Sequence, residues 1–208
     1  MIMSWATLSV FVPTFLFVSL TPGMCMTLAM VLGMTQGVKR TLWMMVGELV
    51  GVGIVAAAAG AGVAALMLRQ PELFIAFKWV GGAYLAYLGV MMWRSRGRMA
   101  IPAELNAGPA AGRVQLATQG LVTAVANPKG WAFFMVLLPP FLDSSRALAP
   151  QLSLLIAVIL VIEFASMLVY ATGGKTLRKV LGKSGNVRLL NRIAGTLMIG
   201  VGIWLALG

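Results

Sequence analysis

Two glutamates, Glu48 and Glu163, are the only acidic residues set deep inside apolar, membrane-length stretches of this 208-residue chain. An ionisable group at the centre of a bilayer costs about 2.5–3.5 kcal/mol or more, so it faces the protein interior and marks a pathway or a proton relay. Both glutamates are therefore candidates to load and release a proton. Helical rise puts Glu48 roughly 10 Å beyond Thr41 and Glu163 roughly 20 Å past Pro150. They then lie at similar depth, which a strictly inverted pair would not give.

Two further constellations carry polar chemistry. Thr21-Pro22-Gly23 and Asn127-Pro128-Lys129 interrupt apolar segments at corresponding places in the two halves. In lipid, a backbone break is tolerated only where protein or a water-filled cavity satisfies its N–H and C=O groups. Matched breaks point to a solute site near the midplane, between two repeats. Thr21 before Pro22 and Asn127 before Pro128 each read as an N-cap followed by proline at the first helical position. The restarted helices, Pro22 to about Gln36 and Pro128 to Leu142, would present positive dipole ends that suit a carboxylate. The carbonyls ending the preceding half-helices would suit an ammonium group. A zwitterionic amino acid offers both charges. A proline kink of purely structural purpose is the alternative, and it is the reading given to Pro13.

Lys129, in the first turn after the second break, opposes the local dipole and needs a carboxylate nearby. Glu48, Glu163 or a bound solute would serve, a salt bridge to one glutamate being the structural option. Glu163, Ser166 and Tyr170 share one helix face, as do Gln119, Thr123 and Asn127. Such stripes line a path or bond neighbouring helices. Met24, Met26, Met30 and Met34 read as a packing face or an adaptable apolar wall.

The elements that must position these groups follow from composition. The chain is 60% hydrophobic and 10% charged, which excludes a water-soluble domain and implies an all-α integral membrane protein. Six spans of roughly 20 residues can be placed: Ser4 to Gly33 (broken at Pro22), Leu42 to Leu68, Leu73 to Trp93, Leu116 to Leu142 (broken at Pro128), Gln151 to Thr172, and Leu189 to Leu207. Residues 1–93 form a first three-span repeat and 114–208 a second. The basic connection 94–113 between them contains Pro102, Gly108, Pro109 and Gly112. An odd number of spans per half makes the halves a 3+3 inverted repeat. Small residues crowd the second span, and Gly47-x-x-x-Gly51 is a close-packing signature. It serves helix contact within the monomer or, as the minority reading, a homodimer seam.

The formal charge of +11 is a topology signal. Lys39 and Arg40, Arg94 to Arg113, and the cluster from Lys175 to Arg192 fall on one side of the six alternating spans. Arg69, Lys78 and Arg146 lie near the other. Cytoplasmic loops carry the Lys/Arg excess, so both termini are expected outside the cytoplasm and nucleic acid is not an expected partner. The first span lacks a basic n-region and a small-residue cleavage site, and is expected to stay as a span rather than act as a signal. There is no histidine, and Cys25 is the single cysteine. No His/Cys metal cluster, no intramolecular dithiol relay and no cofactor are expected.

Ser19-Leu-Thr-Pro-Gly23, Phe77-Lys-Trp-Val-Gly-Gly-Ala-Tyr-Leu-Ala-Tyr-Leu-Gly89, and Asn127-Pro-Lys-Gly-Trp-Ala-Phe-Phe134 with Leu138-Pro-Pro-Phe141 together resemble the LysE/RhtB family of amino-acid exporters. Length, span number and motif order agree over nearly the whole chain. The resemblance implies a non-enzymatic secondary transporter, a proton-driven antiporter in the bacterial inner (cytoplasmic) membrane. It would export an amino acid or derivative, neutral or basic. By motif position, Glu163 and Tyr170 fall where many relatives carry an acidic residue and a tyrosine; with the residues of the two breaks, the expected substrate-binding set is Thr21, Pro22, Gly23, Asn127, Pro128, Lys129 and Tyr170, and the proton-coupling pair Glu48 and Glu163. Met24 stands where relatives commonly carry a second proline, a departure that bears on the stiffness of the first break and on substrate choice. The alternatives are a carrier of another small solute, or a membrane scaffold or assembly factor that transports nothing.

Overall fold

A computed structural model of the chain describes residues 3–95, 111–182 and 184–207; at 71, 128, 129, 132, 175, 177–182 and 184 it describes the backbone alone. Most of the connection 94–113 thus lies outside the described residues. Among those described there are eight α-helices and no strand. They are α1 (Trp5–Leu20), α2 (Met24–Thr35), α3 (Val38–Arg69), α4 (Pro71–Arg94), α5 (Arg113–Val125), α6 (Pro128–Leu137), α7 (Leu148–Gly182) and α8 (Ser184–Leu207), with a 3-10 turn at Pro139–Phe141. Helix α7 bends at Gly174, whose φ is 28°.

Four of these helices, α3, α4, α7 and α8, are long and apolar enough to cross a membrane. Helices α1 and α2, bent by 57° at their junction, make a fifth candidate when taken together. Helices α5 and α6, at 13 and 10 residues, do not qualify singly. Four single-helix spans and one bent pair are thus found, against the six spans, two of them broken, expected from sequence. Large apolar side chains such as Trp79, Val80, Tyr87, Val161 and Val169 are exposed, as a lipid-facing exterior requires.

Close helix contact organises the bundle. An added Cβ at Gly47 would lie 1.8 Å from the Ala117 carbonyl oxygen, and one at Gly120 would lie 2.0 Å from that of Met44. Only glycine lets α3 and α5 approach so nearly, which is the small-residue packing used between membrane helices. Helices α4 and α8 meet in the same way through Gly82 against Gly202 and Gly89 against Gly195. That pairing, rising along one helix as it falls along the other, makes them antiparallel.

Two cores flank the middle of the molecule. In one, Phe11 and Phe15 of α1 pack on Phe133, Phe134 and Phe141, with Phe11 and Phe141 edge to face at 4.9 Å. In the other, Met26 and Met30 of α2 are buried with Met44, Met45, Leu116, Met167 and Tyr170. The methionine face of α2 is thus mainly packing, except that Met24 is exposed.

Candidate functional site

The first break is built from its own polar groups. Helix α1 ends at Leu20, and Thr21 is its C-cap in an extended conformation, the region favoured for a residue before proline. The Thr21 N–H donates to the carbonyls of Phe17 and Val18, and its hydroxyl donates to Phe17 at 2.9 Å. Helix α2 starts at Met24, with Gly23 as an N-cap that has no side-chain bond. The expected restart with Thr21 as N-cap and Pro22 at the first helical position is therefore corrected by two residues. The threonine closes the helix before it instead of opening the one after. The Gly23 carbonyl accepts from the Thr27 N–H at 2.9 Å, and the preceding N–H groups of the first turn of α2 have no intrahelical partner.

Helix α7 fastens this break from outside. The Tyr170 hydroxyl donates to the Leu20 carbonyl at 2.7 Å, and the Ser19 hydroxyl donates to Glu163 Oε2 at 2.6 Å. The carbonyls of Phe17, Val18 and Leu20 at the end of α1 thus each already accept a hydrogen bond.

At the second break the restart does fall at Pro128, directly after Asn127. The Asn127 carbonyl accepts from the Gly130 N–H at 3.0 Å. The Trp131 indole N–H reaches back to the Val125 carbonyl at 2.9 Å and caps the end of α5. The backbone of Lys129 lies in the first turn of α6, while its side chain, and any salt bridge it makes, lies outside the described residues.

The two breaks open onto one cavity of about 370 Å³. Thr21, Gly23, Asn127 and Gly130 contribute to it from the interruptions, and Glu48 and Glu163 from α3 and α7. Its apolar wall includes Phe15, Val18, Val52, Val55, Phe133 and Phe134. The first turn of α2 (Met24, Cys25, Met26) completes the lining. Glu48 is wholly buried, and neither carboxyl oxygen has a hydrogen-bond partner. Its neighbours are the Glu163 carboxyl and the Cys25 thiol. Glu163 keeps partial exposure, consistent with its place in the cavity wall. The similar depth read from helical rise is accounted for: the two glutamates face each other across helices α3 and α7.

Other expected residues fall elsewhere. Pro22 and Tyr170 are not in the cavity lining; Tyr170 is buried behind it against the first break. Ser166 is buried with its hydroxyl unpaired. Thr123 bonds its own helix at the Gln119 carbonyl, and neither residue lines the cavity. Of the expected stripe Gln119, Thr123 and Asn127, only Asn127, beyond the end of α5, lines the cavity. Sequence reasoning did not assign Ser19, Cys25, Phe133 or Phe134 to the site. Ser19 stands in the first motif, but its partner is 144 positions away and no local spacing links the two. Among the described residues no group of His, Cys, Asp and Glu is arranged to hold a metal ion.

Comparison with known proteins adds what geometry alone does not. The LysE type translocator family matches residues 16–208. The chain is 27% identical over 188 residues to the homoserine/homoserine lactone efflux protein of Salmonella typhimurium, covering 90% of each. It is 28% identical over 194 residues to the leucine efflux protein of Enterobacter sp. (strain 638), covering 91% of this chain and 90% of that one. An uncharacterized membrane protein of Vibrio cholerae is 26% identical over 191 residues, again with 90% coverage of each. No solved structure matches significantly. Motifs, helical membrane architecture and family match agree: this chain belongs to the LysE type translocators, a family of transporters rather than enzymes.

Proposed function

We propose that the protein exports a neutral amino acid or a close derivative from the bacterial cytoplasm, exchanging it for protons. The observation that carries this reading is the single cavity onto which both helix breaks and both intramembrane glutamates open. Unpaired N–H groups at the start of α2 suit a carboxylate, and the glutamates suit an ammonium group. The apolar wall around Phe133 and Phe134 suits an uncharged side chain, the usual balance of a small-molecule site. Relatives named for homoserine, homoserine lactone and leucine efflux support the same solute class.

In this reading the chain crosses the inner membrane six times. The α1–α2 pair and the α5–α6 pair each form one broken span, and both termini lie outside the cytoplasm. The antiparallel register of α4 and α8, with glycines meeting reciprocally, supports a 3+3 inverted repeat about an axis between them. The basic excess on one side supports the orientation. Thr21, Gly23 and Asn127 bind the solute, assisted by Pro128 and Lys129, and Glu48 and Glu163 carry the proton. Pro22 and Tyr170 act by shaping the first break. The glycine-mediated contact of α3 with α5 assigns Gly47 and Gly51 to packing within one chain, so nothing in the reading depends on a homodimer.

The test is transport by purified protein in liposomes loaded with labelled leucine. An imposed pH gradient is expected to drive leucine flux well above that of protein-free liposomes. Flux no greater than the protein-free level, for leucine and for the other neutral amino acids, would favour a scaffold without transport activity.

A further inference from the structure

We propose that Glu48 and Glu163 act as one unit holding a single positive equivalent: either one proton shared by the two carboxyls or the ammonium group of the solute, never both. This rests on the exporter reading and assigns the ammonium end of the substrate to a particular place.

Three observations lead there. The end of α1, where an ammonium might otherwise sit, has its Phe17, Val18 and Leu20 carbonyls engaged by Thr21 and Tyr170. The two carboxyls, from α3 and α7, face each other in the cavity wall. Finally, both oxygens of the buried Glu48 lack a donor, although another carboxyl and a thiol lie beside it. An ionised carboxylate only accepts hydrogen bonds, whereas a protonated one can donate. Two carboxylates in contact cannot both carry charge unless a cation lies between them. Among the described side chains the arrangement is thus incomplete, and one proton or one ammonium completes it.

The groups around the pair, element by element, do not supply that cation among the described side chains. Ser19 from α1 gives one hydroxyl to Glu163. Cys25 from α2 offers a thiol. Helix α7 contributes Glu163 itself, and Tyr170 is occupied by Leu20. Ala124 of α5, the break residue Asn127, and Gly130, Phe133 and Phe134 of α6 present no charge, the side chain of Lys129 lying outside those described. The exchange then balances simply. R–NH3+ enters between the carboxyls, the shared proton leaves to water, and the pair with its ligand keeps the same net charge of one negative. Because the two ligands exclude each other, a proton must enter for each solute released, which is the stoichiometric basis of exchange.

The experiment uses full-length protein in detergent with three probes of one side-chain shape: leucine, leucinamide (ammonium without carboxylate) and isocaproate (carboxylate without ammonium). Binding and proton release are read by calorimetry in buffers of different ionisation heat. The range is pH 5.5 to 7, where an α-amino group of pKa about 7.7–8 stays protonated. Leucinamide and leucine are expected to release close to one proton per molecule bound, and their affinity to rise about tenfold per pH unit. Isocaproate is expected to release none. Glu48→Gln and Glu163→Gln should each abolish the release, as expected of two groups acting as one. Binding of leucine or leucinamide by the unmodified protein without proton release overturns the shared-site inference and leaves the exporter reading standing. Release that persists in either glutamine variant overturns it too. Failure of all three probes to bind, in protein that elutes as a single folded species, overturns the substrate class and the inference with it.

Discussion

The two helix breaks look alike in sequence and are stabilised by different means. At the second, the bonds are local. The Asn127 carbonyl accepts from Gly130 three residues on, and the Trp131 indole turns back to Val125. At the first, local bonds from Thr21 close α1, but the junction is also fastened to a distant helix. Tyr170 and Glu163 of α7 hold Leu20 and Ser19. The described bonds of the second break are local, whereas the first is held jointly with the helix that carries a buried acid. A change at Glu163 is therefore transmitted to the first break by a direct bond. Coupling between ligand and shape is expected to run through α1, α2 and α7.

The largest expected effect tests that asymmetry directly. Glu163→Gln should abolish pH-driven leucine flux in proteoliposomes, reducing it to the protein-free level, while the protein stays folded by circular dichroism. Undiminished coupled flux would remove Glu163 from the mechanism. Next in size, Tyr170→Phe strips the Leu20 carbonyl of its donor in a buried setting, a loss of about 1–3 kcal/mol. Denaturation in detergent should register it, and flux should fall as the first break loosens. A variant as stable as the parent would mean that α7 does not secure that junction.

Asn127→Ala lies at the wall of the cavity. It should weaken leucine binding about tenfold, or 1.4 kcal/mol, with a smaller loss of stability. Equal losses in both measurements would make the second break structural only. The smallest effect is expected for Trp131→Phe. This removes one exposed, locally made bond and should cost about 0.5 kcal/mol, at the low end for a hydrogen bond. A loss exceeding that of Tyr170→Phe would reverse the ranking of the two breaks.

Much of this site could be read from the chain alone, because each signal was a local violation of what lipid tolerates. A proline inside an apolar segment and a carboxyl inside a span are each costly, so Pro22, Pro128, Glu48 and Glu163 announce themselves. The helix interruptions lie within a residue or two of the expected positions, and Asn127-Pro128 restarts a helix as its residue types require. The first break differs because a threonine can cap either helix beside it. Sequence offers no way to choose until the Phe17 and Val18 carbonyls are seen to need it. Tyr170 was assigned by motif position to substrate, whereas the structure uses its hydroxyl on Leu20. A buried phenol takes whatever acceptor the fold brings within reach, and that acceptor comes from 150 positions away.

Composition and the placement of costly residues thus determined, without coordinates, that the chain is a helical membrane protein with interrupted segments and two interior acids. Those properties depend on the energy of single groups in a nonpolar medium, which residue type alone specifies. Which groups meet was decided only by the tertiary structure. The facing of Glu48 and Glu163, the bond from Ser19, and the common cavity of the two breaks depend on close approach of helices distant in sequence. Glycine contacts such as Gly47 with Ala117 and Gly33 with Ala171 permit that approach, and no spacing along a single helix encodes the partner.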